Sequence, residues 1–146
     1  MFERLSDLAR KAIVEAQQEA RAHGQFEIDT EYLLLGVTSD QTSNAVGVLR
    51  ALTIDPLIVR TRVIEIIEAV PPAPARKGHL WFTPDAKDAL LHAERLIGQL
   101  NHHDRTPAHL LYGLIMADGL ARVILQDLGV TPQDLKDKII KLVTAS

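Results

Sequence analysis

Two stretches set closely spaced side chains that could do chemistry: DTEYLLLG at residues 29–36 and NHHDRTPAHLLYG at residues 101–113. In the first, Glu31 follows Asp29 and Thr30 just inside a predicted helix. A carboxylate in that first turn is stabilised by the helix dipole, which alone accounts for it. It is equally an acceptor for a cationic ligand. In the second, His102, His103 and Asp104 are metal-ligand types, but neighbours in one loop seldom reach the same ion, so no metal is expected. His92 and His109 fall on predicted helices with no partner at ligand spacing. No Ser/His/Asp grouping or carboxylate pair suggests hydrolysis. With no cysteine there is no thiolate nucleophile, Cys-ligated zinc or disulfide. No glycine is followed by lysine, so the phosphate-cradling loop of an ATPase is missing. The side chains point to binding, not catalysis, and no cofactor is implied.

What positions Glu31 is a repeated unit. Leu33, Leu34 and Gly36 recur as Leu110, Leu111 and Gly113, 77 positions on; Ala9, Ala12 and Ala16 recur as Ala86, Ala89 and Ala93. After a one-residue deletion the offset becomes 76, and Ala45, Leu49, Leu52 and Pro56 meet Ala121, Leu125, Leu128 and Pro132. The spacing is helical. Leu5, Leu8, Ala9, Ala12, Ile13, Ala16 and Ala20 form one apolar stripe, with charged and amide side chains on the other faces. Asp55-Pro56, Thr83-Pro84, Thr106-Pro107 and Thr131-Pro132 each set a capping side chain before a proline at the first helical position. Thr131 with Asp134 resembles a capping box. No strand pattern stands out. The expected fold is all-α: helices near 3–23, 30–39, 43–52, 56–69, 84–100, 107–117, 119–128 and 132–143. They make two pseudo-twofold-related four-helix repeats in one domain (1–146). Repeat one covers 1–69, a Pro-rich connector 70–82, and repeat two 83–146. In the second copy Ala108 stands at the position of Glu31, without an acceptor for a cation.

Composition sets outer bounds. A length of 146 residues, 47% apolar, with mean hydropathy near zero, suits one globular core built from Leu, Ile, Val and Ala. A net charge of −3 argues against nucleic acid as a partner. No apolar run reaches membrane-spanning length, and MFERLSDLARKA is charged from residue 3, unlike a signal peptide. A cytoplasmic location and a monomeric state are expected.

The opening MFERLSDLARKAIVEAQQEA, the DTEYLLLGV motif and FTPDAKDAL at 82–90, taken with the duplication, resemble the N-terminal domain of ClpC- and ClpA-type Clp AAA+ protein unfoldases along the whole chain. The resemblance implies a non-catalytic domain that binds substrates, adaptors or degradation tags. It implies that Glu31 holds the guanidinium of phosphorylated arginine, with Arg4 and Ser6 on the phosphate side, as one tag site. Phe2, Gln17, Phe82 and Lys87 match positions that bind cyclic-peptide antibiotics; Phe2 and Phe82 equally serve to seal the seam between the halves. Leu91 stands where relatives are acidic. The alternative role is a free-standing binder that sequesters such antibiotics. The chain is either an excised domain or a free-standing relative, and the lack of a linker remnant after Thr144-Ala145-Ser146 favours the latter.

Overall fold

The apolar stripes and caps produce eight helices: α1 (Asp7–Ala22), α2 (Thr30–Val37), α3 (Asn44–Ala51), α4 (Pro56–Glu68), α5 (Pro84–Leu100), α6 (Pro107–Met116), α7 (Leu120–Asp127) and α8 (Pro132–Leu142). The computed structural model describes residues 2–71 and 73–143. Pro72 of the predicted connector and the last three residues of the predicted second repeat lie outside the described residues. The proline-led starts cap as expected. Asp55 accepts from Leu57 N (2.9 Å), Thr83 from Ala86 N (3.1 Å) and Thr131 from Asp134 N (3.1 Å).

The core is shared by both halves, and α2 and α6 run through it. Every residue of α2 except Glu31 is buried. Each of these helices crosses the first helix of its own half at a glycine. A Cβ on Gly36 would collide with the Ala12 carbonyl, and one on Gly113 with the Ala89 carbonyl. The glycine that closes each motif is therefore a packing requirement: it lets two backbones touch.

The sequence reading of helix from residue 3 is corrected. Arg4 has φ 61°, Leu5 forms an isolated parallel bridge with Arg105, and Ser6 is the N-cap of α1, accepting from Ala9 N (3.2 Å). Two short strands, β1 (Glu27–Ile28) and β2 (Trp81–Phe82), also pair in parallel, with Ile28 opposite Phe82. Under the 77-residue offset, Leu5 corresponds to Phe82 and Ile28 to Arg105, so these are one contact occurring twice. In both, the segment leading into the first helix of one half pairs with the segment leading into the second helix of the other. The hydrogen bonds match: Ser6 N donates to Arg105 O (3.0 Å) and Thr83 N to Ile28 O (3.1 Å). The connector is tied to the end of α1. Arg76 N donates to Arg21 O (2.9 Å), Arg21 Nε to Gly78 O (2.7 Å), and the Arg76 guanidinium lies 3.7 Å from the Phe26 ring centroid.

Gly36→Ala and Gly113→Ala are each expected to destabilise the domain by about 1–3 kcal/mol in urea unfolding. Gly47→Ala is the control. It sits in α3, where a Cβ meets nothing within 4 Å, and alanine there is expected to stabilise by about 1 kcal/mol.

Candidate functional site

Glu31 occupies the first turn of α2, whose N-cap Asp29 accepts from Thr30 N (2.8 Å) and from the Thr83 hydroxyl (2.9 Å). Thr83 caps α5, so the start of α2 and the start of α5 share one corner. Glu31 is half-buried, and its Oε1 is sealed from solvent without a hydrogen-bond partner. Burial pushes its carboxyl up to about 7; a bond to its own backbone N–H works against this and the charge of Asp29 adds to it.

Arg4 and Ser6 do not share that corner, which corrects the expected three-residue tag site. Tyr32, next to Glu31, lies against His23, the C-cap of α1 (ring centroids 6.2 Å). Ser6 caps the other end of α1, and a 16-residue helix is about 24 Å long. Arg4 is committed to the second half: Nε donates to His103 O (2.7 Å) and Nη2 to His102 O (2.9 Å). The crossed pairing of the lead-in segments thus puts Arg4 and Ser6 beside the Ala108 end, and Thr83 beside Glu31.

The Ala108 corner is filled as well as lacking a carboxylate. Ala108 is fully buried and its N–H donates to Asn44 Oδ1 (2.8 Å); Asn44 Nδ2 donates to Thr106 Oγ1 (2.8 Å). Below it lies a buried imidazole pair, His102 Nδ1 and His109 Nε2, 2.8 Å apart. The Thr106 N–H points at His109 Nδ1 (3.0 Å), so that nitrogen carries the lone pair. The neutral ring then keeps its proton on Nε2 and donates it to His102. Burial, with the nearby His102, pulls His109 down to about 4. His103 is separate, bonded to Asp104 (2.7 Å) at the surface. Among the described residues no three metal-ligating side chains gather.

The aromatic seam is present. Phe2 and Phe82 pack with centroids 5.8 Å apart; Phe82 is buried and Phe2 is 44% exposed. A cleft of about 440 Å³ runs along α5, lined by Pro84, Lys87, Asp88, Leu91, Glu94 and Arg105 and not by Phe2 or Phe82. Its floor is Arg105, whose Nη2 donates to Glu3 O (2.7 Å) and Nη1 to Leu90 O (3.3 Å). Burial lowers the guanidinium's proton affinity, opposed by Glu94 and Glu3. Gln17, half-buried on α1, is not part of the cleft wall.

Sequence reasoning passed over three features. The cap at Thr106 places His109 at the third helical position, where a side chain reaches back to the cap; that was the signal for its role. The 77-residue offset sets Arg105 on the core position of Ile28, which marks it as a buried cation. Asn44 carried no signal, because its partner lies in the other repeat.

The domain is mostly helical and internally duplicated, with an apolar cleft along α5. A model of the Clp repeat (R) N-terminal domain matches residues 4–102 and again 82–145. The chain belongs to that family. It is 35% identical over 147 residues to the chloroplastic chaperone protein ClpC of Pisum sativum, covering 100% of this chain and 16% of that protein. The chain therefore spans only a small part of this relative. In fold it is similar to the Hsp104 N-terminal domain from Candida albicans (TM-score 0.81, 16% identity, 99% of this chain and 94% of that one). It is also similar to the ClpV N-domain solved in complex with a VipB peptide (TM-score 0.73, 14% identity, 95% and 86%).

The buried histidine pair generates a pH dependence. A folded value of about 4 lies below the ordinary 6.5, so the neutral form is favoured by folding. Its stabilisation is complete above pH 6.5 and is lost as the pH falls toward 4, by about 3 kcal/mol. His109→Tyr, which copies Tyr32 of the first half, is expected to flatten that slope when urea unfolding is followed from pH 7 to 4.

Proposed function

We propose that this chain is the partner-docking module of a Clp unfoldase system, binding protein substrates or adaptors and performing no chemistry itself. The observation that carries this is the apolar cleft along α5. An apolar channel edged by Lys87 and Asp88, on a domain that also exposes the aromatic Phe2, suits a peptide segment. The peptide complex of the ClpV N-domain supports the same mode of use on this fold.

The ligand chemistry we favour is a phosphorylated arginine on the substrate. Glu31 supplies the anion for its guanidinium: a half-buried carboxylate with a sealed, unbonded oxygen suits an incoming donor. The phosphate side then belongs to the α5 corner, with Lys87 one turn beyond Thr83, in place of Arg4 and Ser6. In calorimetric titration with free phosphoarginine, one site is expected. Glu31→Ala should abolish it and Lys87→Ala should weaken it about tenfold, while Arg4→Ala should leave it unchanged. Binding should also be stronger at pH 8 than at pH 6, since the carboxyl titrates near 7. No heat at millimolar ligand, or full binding by the Glu31→Ala variant, would refute this assignment.

A second reading is supported by the cleft alone: capture of cyclic-peptide antibiotics that target the unfoldase. A cyclic peptide of that class is expected to bind at micromolar concentration, ~8 kcal/mol. Replacement of Phe2 by Ala should weaken it while phosphoarginine binding is retained.

A further inference from the structure

A second cleft, about 260 Å³, opens between α1, the C-terminal end of α2 and α4, lined by Glu15, Gln18, Glu19, Gly36, Ser39 and Arg60. It is polar where the α5 cleft is apolar. Glu15 and Glu19 stand one turn apart on α1, a spacing at which like charges repel. Glu15 accepts from the Ser39 hydroxyl. His23 Nδ1 lies 3.9 Å from the Glu19 carboxylate. Among the described residues neither glutamate meets a lysine or arginine within 4 Å. Arg60 faces the cleft from α4. Its Nη1 donates to Leu35 O (2.7 Å) and Thr38 Oγ1 (3.3 Å), closing the C-terminal end of α2. Its Nε and Nη2 have no protein acceptor among the described residues. One cleft therefore carries two carboxylates and a guanidinium that do not pair with one another.

We propose that this cleft binds an arginine-like zwitterion, its guanidinium between Glu15 and Glu19 and its carboxylate on Arg60. A molecule charged at both ends relieves the glutamate repulsion and completes the Arg60 donors in a single pose, which neither a simple cation nor a simple anion does. The volume fits one residue, being below the roughly 300–1,000 Å³ of pockets for larger ligands. The ligand is either a free amino acid or the C-terminal residue of a peptide, since both present the same two charges. The site shares no residue with the Glu31 corner and does not depend on the reading of that corner.

The test follows the backbone amides of Gly36 and Ser39 by NMR in the intact chain, with three probes: L-arginine, a short peptide ending in arginine, and argininamide. Saturable millimolar shifts with L-arginine are expected, and none with argininamide, which lacks the carboxylate. The same shifts with the peptide would show that the cleft reads chain ends; shifts with L-arginine alone would show that it reads the free amino acid. Glu19→Gln, at an exposed position, should weaken binding roughly tenfold, and Glu31→Ala should have no effect. The proposal is overturned if neither arginine probe shifts these amides saturably, if argininamide matches L-arginine, or if Glu19→Gln binds as tightly as the parent.

Discussion

Everything else in this domain depends on how the two halves exchange their lead-in segments. Leu5 pairs with Arg105 and Ile28 with Phe82, so neither half completes its own start. Each backbone contact is small in energy, since a protein hydrogen bond replaces one to water. Its effect is on register. It fixes where α1 begins, sets α2 against α5 at one corner and α6 against the N-terminal segment at the other, and leaves a single core without a plane of separation. The glycine crossings at Gly36 and Gly113 then draw each inner helix down onto its outer neighbour.

The exchange also decides which residues can act together. In sequence, Arg4, Ser6 and Glu31 belong to one repeat, and the family resemblance implied that they form one site. In space, Glu31 keeps company with Thr83 from the other repeat, and Arg4 with the carbonyls of His102 and His103. Nothing in the periodicity of one chain reveals such a crossing, because helix stripes report which face is buried and not which partner buries it. The same limit explains the misplaced start of α1. Leu5 fits the apolar stripe of a helix, and it is buried as a bridge residue instead. Strands of two residues are too short to show alternation at all.

What was legible came from local rules. Proline after Asp or Thr marked four helix starts, the repeated alanines marked the faces of α1 and α5, and the repeated glycine marked the duplication, though not the crossings it makes. Glu31 stood out as a carboxylate in the first turn of a helix and through the family resemblance. His109 and Arg105 were visible only through cap position and offset, which are weaker signals than spacing. Asn44, which fills the second corner from across the domain, was beyond local reasoning.

The filled Ala108 corner has a consequence for valence. A duplicated domain with two equal corners could grip two groups on one partner, and the second contact would be made at the high effective concentration that tethering provides. Here one corner is occupied by Asn44 and backed by the His102–His109 pair, so the carboxylate site proposed at Glu31 has no twin in the second half. Whatever tenacity such binding attains must come from the quality of that one contact, or from several chains brought together, and not from chelation within the domain.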